Sequence, residues 1–164
     1  MSAATLDLAT RLGATLQQRG WRVATAESCT GGLVAGAITD VAGSSEWFER
    51  GFVTYSNNAK AEMLGVRADT LAAHGAVSEE TAREMVAGAL ARSSATLVVA
   101  ITGIAGPSGA TPGKPVGLVC FAWGHRGGAV RSSTRQFPGD RAAVREASVL
   151  AALDGLIELA TAGS

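Results

Sequence analysis

The chain has 164 residues, 47% of them hydrophobic and 17% charged, which suits one domain with a full-sized core. Its 14 basic and 14 acidic side chains cancel, so no basic surface advertises nucleic acid. No apolar run approaches the roughly 20 residues that span a bilayer. Met1 to Thr10 lacks the basic and apolar regions of a signal peptide. The expected setting is therefore cytoplasmic, with no membrane partner and no direct nucleic-acid contact.

Leu8, Leu12 and Leu16 recur at i, i+4 and i+8 and predict a helix from about Thr5 to Arg19, stopped by Gly20. A β-prone run, Trp21 to Ala26, leads into Glu27-Ser28-Cys29-Thr30-Gly31-Gly32. A small-residue helix is expected from there to Thr39, and its free N–H groups suit an anion or a developing oxyanion. Ser44-Ser45 is read as capping a helical turn that holds Trp47 and Phe48. Gly51 to Tyr55 reads as a second strand, and Asn58 as the cap of a helix from Ala59 to Leu64. Ala68 to His74 is a further short helix. Ser78 caps another, from Glu79 to about Arg92, with Glu79 and Glu80 in the first turn where the dipole favours them.

Leu97 to Ile101 is a near-continuous apolar run, the mark of a central strand covered on both faces. It ends at Thr102-Gly103, before a glycine- and proline-rich loop from Ile104 to Pro115. Val116 to Trp123 and Val130 to Phe137 read as a hairpin. Asp140 caps the last helix, Arg141 to about Leu159. With no repeat or linker, 1–164 reads as one α/β domain: a three-layer α/β/α sandwich with a mixed, largely parallel sheet.

Polar and small residues gather just past strands or at helix starts, at Glu27 to Gly32, Tyr55 to Lys60, Thr102 to Gly106 and Gly139 to Arg141. In open α/β sheets that edge is where ligands bind. The candidate bases are few: the only lysines are Lys60 and Lys114, the only histidines His74 and His125, and the only tyrosine Tyr55. His125 falls on a hairpin tip and His74 after a short helix, so a Ser-His-Asp triad is poorly supplied. Lys60, in the first turn of its helix, would have to lose its proton to serve Ser28. Residue types alone also allow a solvated Lys60, with Tyr55 a strand-end anchor. Arg141, at a helix start, suits a phosphate, and Ser45 and Thr102 can donate hydroxyl bonds to the same anion. Glu27, Asp40, Glu46 and Glu49 lack metal-ligand spacing, and no metal or cofactor is expected.

Ala26-Glu27-Ser28-Cys29-Thr30-Gly31-Gly32, Gly51-Phe52-Val53-Thr54-Tyr55-Ser56-Asn57, Lys60, His74-Gly75-Ala76-Val77-Ser78, Thr102-Gly103-Ile104-Ala105-Gly106-Pro107 and Lys114-Pro115-Val116-Gly117 together resemble the CinA C-terminal domain family. The resemblance runs in order from about Leu6 to Leu159. The family's enzymatic members are nicotinamide-nucleotide amidohydrolases, which convert nicotinamide mononucleotide (NMN) to nicotinate mononucleotide and ammonia in pyridine nucleotide salvage. The length resembles that of the stand-alone bacterial enzyme, without the N-terminal domain of full-length relatives. The resemblance implies a serine nucleophile at Ser28, with Tyr55 and Lys60 as its proton relay. It implies substrate binding at Thr30, Gly31, Ser45, Thr102, Gly103 and Arg141, and a homodimer. Two other readings stay open: a non-catalytic nucleotide-binding module, and a protein-interaction role in DNA uptake or repair. A third makes Cys29 the nucleophile.

Overall fold

The computed structural model describes residues 1–162. Helix α1 (Ala3–Arg19) leads to strand β1 (Val23–Glu27), α2 (Leu33–Thr39), a 3-10 turn (Ser44–Glu46) and β2 (Phe48–Val53). Helices α3 (Asn57–Leu64), α4 (Ala68–His74) and α5 (Glu79–Ala91) follow. Then come β3 (Leu97–Gly103), β4 (Leu118–His125), β5 (Val130–Gln136) and α6 (Arg141–Thr161). The strands form one sheet in the order β2-β1-β3-β4-β5. β1 pairs parallel with both β2 and β3, whereas β4 is antiparallel to β3 and to β5. The sheet is thus mixed, with β4 the one strand that runs against the rest.

Side-chain alternation along β3 explains the three layers. Leu97, Val99 and Ile101 pack with α1, α2 and α6 through Leu12, Leu16, Ile38 and Leu153. Val98 and Ala100 face the opposite way, with Ala24, Ala26 and Ala122, onto Met85, Val86 and Ala89 of α5. Both faces of β3 are therefore dry, as its unbroken apolar run requires. Among the described residues, no helix is long and apolar enough to cross a membrane.

The element boundaries differ from expectation where side chains compete for backbone groups. Gly31 and Gly32 have positive φ values of 56° and 100°, so α2 begins only at Leu33. The Leu33 N–H closes a turn onto the Thr30 carbonyl at 2.9 Å, and both central residues of that turn lie in the left-handed region that glycine tolerates. Ser56, not Asn58, caps α3: its hydroxyl accepts the Ala59 N–H at 3.0 Å. Phe48 belongs to β2 rather than to the preceding turn, because β2 pairs with β1 from Val23↔Phe48 onward. β3 runs on through Gly103, which pairs with Val119.

The seat of α3 depends on one close approach. A Cβ at Gly88 of α5 would lie 1.9 Å from the Leu64 carbonyl oxygen at the end of α3. Gly88→Ala is expected to push the two helices apart and to destabilise the fold by about 3 kcal/mol. Urea denaturation checks this, and a midpoint equal to the parent's would contradict it.

Candidate active site

The C-terminal end of β1 delivers Glu27 and Ser28 to the sheet edge, beside the ends of β2 and β3. The Ser28 N–H donates to the Ile101 carbonyl at 2.9 Å, extending the ladder one step past the strand. Glu27 is fully buried. Its Oε1 accepts from the Thr30 hydroxyl (2.7 Å) and from the N–H groups of Gly32 (3.2 Å) and Val34 (3.0 Å). Its Oε2 accepts from the Ala35 N–H at 3.0 Å. The start of α2 is therefore occupied by the chain's own carboxylate. Thr30 spends its hydroxyl there, and the expectation that this helix start receives a ligand anion is corrected.

Of the N–H groups between Ser28 and Ala35, that of Gly31 goes to the Ser28 carbonyl (3.0 Å) and that of Leu33 to Thr30. Those of Cys29 and Thr30 donate to no carbonyl, carboxylate or hydroxyl of the described residues. They are the two backbone donors immediately after Ser28. Glu27→Gln would turn an amide N–H₂ against the donors now shared by the carboxylate. It is expected to cost about 3 kcal/mol in urea unfolding, since hydrogen bonds to charged groups are individually worth about 1.5–3 kcal/mol. An unchanged unfolding curve would contradict this account of the turn.

Lys60 projects from the first turn of α3 into the protein and is 1% exposed. Its Nζ donates to Ser28 Oγ at 2.9 Å, to the Thr54 carbonyl at 2.9 Å and to the Tyr55 carbonyl at 3.2 Å. An ammonium fills all three contacts with its three protons. An uncharged amine has two protons for the two carbonyls, and its lone pair then faces the one partner with a proton to give, the Ser28 hydroxyl. Burial lowers the Lys60 pKa from its ordinary value, opposed only by attraction to Cys29. Cys29 is itself 5% exposed, and burial pushes its thiol up to about 11. A protonated, buried thiol is a poor nucleophile, and it is Ser28 Oγ, not the thiol, that the Lys60 amine touches.

The other expected site residues divide. Tyr55 is 60% exposed, and its phenol bonds neither Ser28 nor Lys60. Its hydroxyl accepts from Arg141 Nη2 at 3.1 Å, and only its backbone carbonyl reaches the amine. The phenol expected between Ser28 and Lys60 is not part of their contact, which hydroxyl and amine make directly. Arg141 also donates to the Gly106 carbonyl at 2.9 Å, so it does stand at this edge. Thr102 lies at the end of β3, but its hydroxyl donates to the Ala76 carbonyl at 2.8 Å. Gly103 sits where a Cβ would strike Val119 at 2.7 Å. Gly31 is exposed in the turn. Ser45 lies beyond the other end of β1: its carbonyl accepts from Arg22, just before that strand. The length of β1 separates it from Ser28, about 16 Å at the rise of a strand.

Two residues escaped the sequence reading. Thr54 contributes a backbone carbonyl, which no side-chain pattern signals. Arg145 donates from Nε to the Cys29 carbonyl (3.1 Å) and from Nη2 to the Thr30 carbonyl (3.4 Å). Its spacing of four from Arg141 on one helix was the available clue. Arg141 and Arg145 both line a hollow of about 720 Å³, together with Ala105, Pro107, Val116 and Gly139. That volume suits a small-molecule ligand. Neither Ser28 nor Lys60 lines it; Arg145 links it to the turn that follows Ser28.

Residues 5–160 match the family model described as the CinA C-terminal domain. The nicotinamide-nucleotide amidohydrolase PncC of Pseudomonas putida is 56% identical over 154 residues, covering 94% of this chain and 96% of that protein. The protein of the same name from Escherichia coli is 54% identical over 151 residues, 92% of each chain. Among solved structures, the competence/damage inducible protein CihA from Agrobacterium tumefaciens superposes with a TM-score of 0.94 at 49% identity, covering 97% of both chains.

Proposed function

Since the chain belongs to the CinA C-terminal domain family, we propose that it hydrolyses the carboxamide of NMN to nicotinate mononucleotide and ammonia, a step of pyridine nucleotide salvage. The observation that carries this reading is the buried Lys60 amine in contact with Ser28 Oγ and two carbonyls. As Ser28 Oγ attacks the amide carbon, the neutral Lys60 Nζ takes its proton. The new charge on Lys60 is met by the carbonyls of Thr54 and Tyr55, which already hold its other protons. The oxyanion is met by the N–H groups of Cys29 and Thr30; a single such donor is commonly worth about 3 kcal/mol in the transition state. Lys60 then protonates the departing nitrogen, ammonia leaves, and an ester on Ser28 remains. Water, deprotonated by the same amine, releases the nicotinate product and restores the serine.

Arg141 on the first turn of α6 supplies the charge for the 5′-phosphate. Binding would exchange the Arg141 contact with the Tyr55 phenol for a phosphate oxygen. Arg141→Ala is therefore expected to raise KM for NMN by about ten- to a hundredfold with kcat little changed, the pattern of a lost uniform binding contact. Steady-state ammonia release measures both constants, and a fall in kcat at constant KM would contradict the assignment. The reading as a whole is tested by incubating the purified protein with NMN. Stoichiometric ammonia and nicotinate mononucleotide are expected. Binding of NMN without turnover would favour a non-catalytic nucleotide-binding module instead.

A further inference from the structure

Arg145 grips the turn that follows the nucleophile, and the hollow alone does not require that. The peptide between Cys29 and Thr30 is trans, the one cis bond among the described residues being Gly106–Pro107. In a trans peptide the C=O and N–H point in opposite directions. The guanidinium that donates to the Cys29 carbonyl at 3.1 Å therefore fixes the direction of the Thr30 N–H. That N–H is one of the two in the turn that donate to no oxygen of the described residues. A charged donor on the carbonyl also polarises the amide and strengthens its N–H as a donor. The second contact, to the Thr30 carbonyl at 3.4 Å, holds the next peptide in the same fork.

We infer that Arg145 is a positioning residue for the amide hydrolysis: by holding the Cys29 carbonyl it aims the Thr30 N–H at the oxyanion formed when Ser28 attacks. The inference rests on the amidase reading above. It separates Arg145 from Arg141, whose partners are the Gly106 carbonyl and the Tyr55 phenol and whose expected effect is on KM.

The test is steady-state hydrolysis of NMN by the parent, Arg145→Met and Arg145→Lys proteins, with kcat, KM and the pH profile of kcat/KM. The Met variant is expected to lose about thirtyfold in kcat, less than removal of a whole oxyanion donor. The Lys variant, which keeps one charged donor for one carbonyl, is expected to lose about fivefold. In both, the acid limb of the profile stays where the parent has it, because the Ser28–Lys60 contact is untouched. A kcat within twofold of the parent, with any loss confined to KM, makes Arg145 a substrate ligand only and overturns the inference. A lowered kcat with a displaced acid limb means general disruption of the site and overturns it as well. If Arg145→Met shows no cooperative thermal transition, the Lys variant alone decides, and a parent-like kcat there is the overturning result. A parent protein inert towards NMN removes the amidase reading itself, an outcome distinct from all of these.

Discussion

Ser28→Ala is expected to lower NMN hydrolysis by about a thousandfold or more, the scale seen when an activated serine nucleophile is removed. The effect is chemical rather than structural. The Ser28 hydroxyl touches the Lys60 amine and, at 3.5 Å, the Tyr55 carbonyl, so its removal leaves the turn and the Glu27 bonds in place. NMN binding, measured by calorimetry, is expected to stay within a few-fold of the parent. The neighbouring thiol does not substitute for the lost hydroxyl, because burial holds Cys29 protonated well above neutral pH. Retention of a tenth or more of the parent activity by a normally folded Ser28→Ala protein would remove the serine mechanism.

Lys60→Met carries the second large effect. Methionine fills the same unbranched volume but supplies no lone pair, and a loss of about a thousandfold in kcat/KM is expected. The pH dependence gives the sign. The active form is the neutral amine, so the parent's kcat/KM falls as pH drops through the Lys60 pKa. That pKa lies below the ordinary lysine value because burial penalises the charge. The residual rate of Lys60→Met is expected to lack this limb. Stability carries the same signature. Between the lowered pKa of the folded state and the ordinary value of the unfolded chain, the unfolded state binds more protons, so parent stability rises with pH. That rise is expected to vanish in Lys60→Met. An acid limb that survives the substitution would assign the base elsewhere.

The parts of the fold that were legible in the sequence are those where one pattern dominates. The apolar run Leu97 to Ile101 could only be a strand covered on both sides, and Ser78 and Asp140 cap helices as their positions suggest. The site was less legible because its key groups depend on burial and backbone direction. Lys60 sits in a short helix among exposed Asn57, Asn58, Glu62 and Met63, and nothing local to that segment says that one lysine turns inward. The resemblance implied a relay role for Tyr55, yet its carbonyl meets the amine while its phenol turns to Arg141. Ser45 lies in a single 3-10 turn, too short to show a periodicity, and the chain returns it to the opposite end of β1. The free N–H groups expected at the start of α2 are consumed by Glu27, a residue whose burial was not evident from its neighbours. Family resemblance named Ser28 and Lys60; the fold brings them into contact.

Hydrolysis through Ser28 requires an uncharged amine beside it, and the titration of Lys60 measures that state directly. The chain has only two lysines, so in protein labelled with carbon-13 lysine the Cε resonances can be assigned by comparison with Lys60→Met. The Lys60 resonance is expected to titrate clearly below the ordinary value of 10.5. A Lys60 that stays charged up to that ordinary value, in a protein that still hydrolyses NMN, would contradict that requirement.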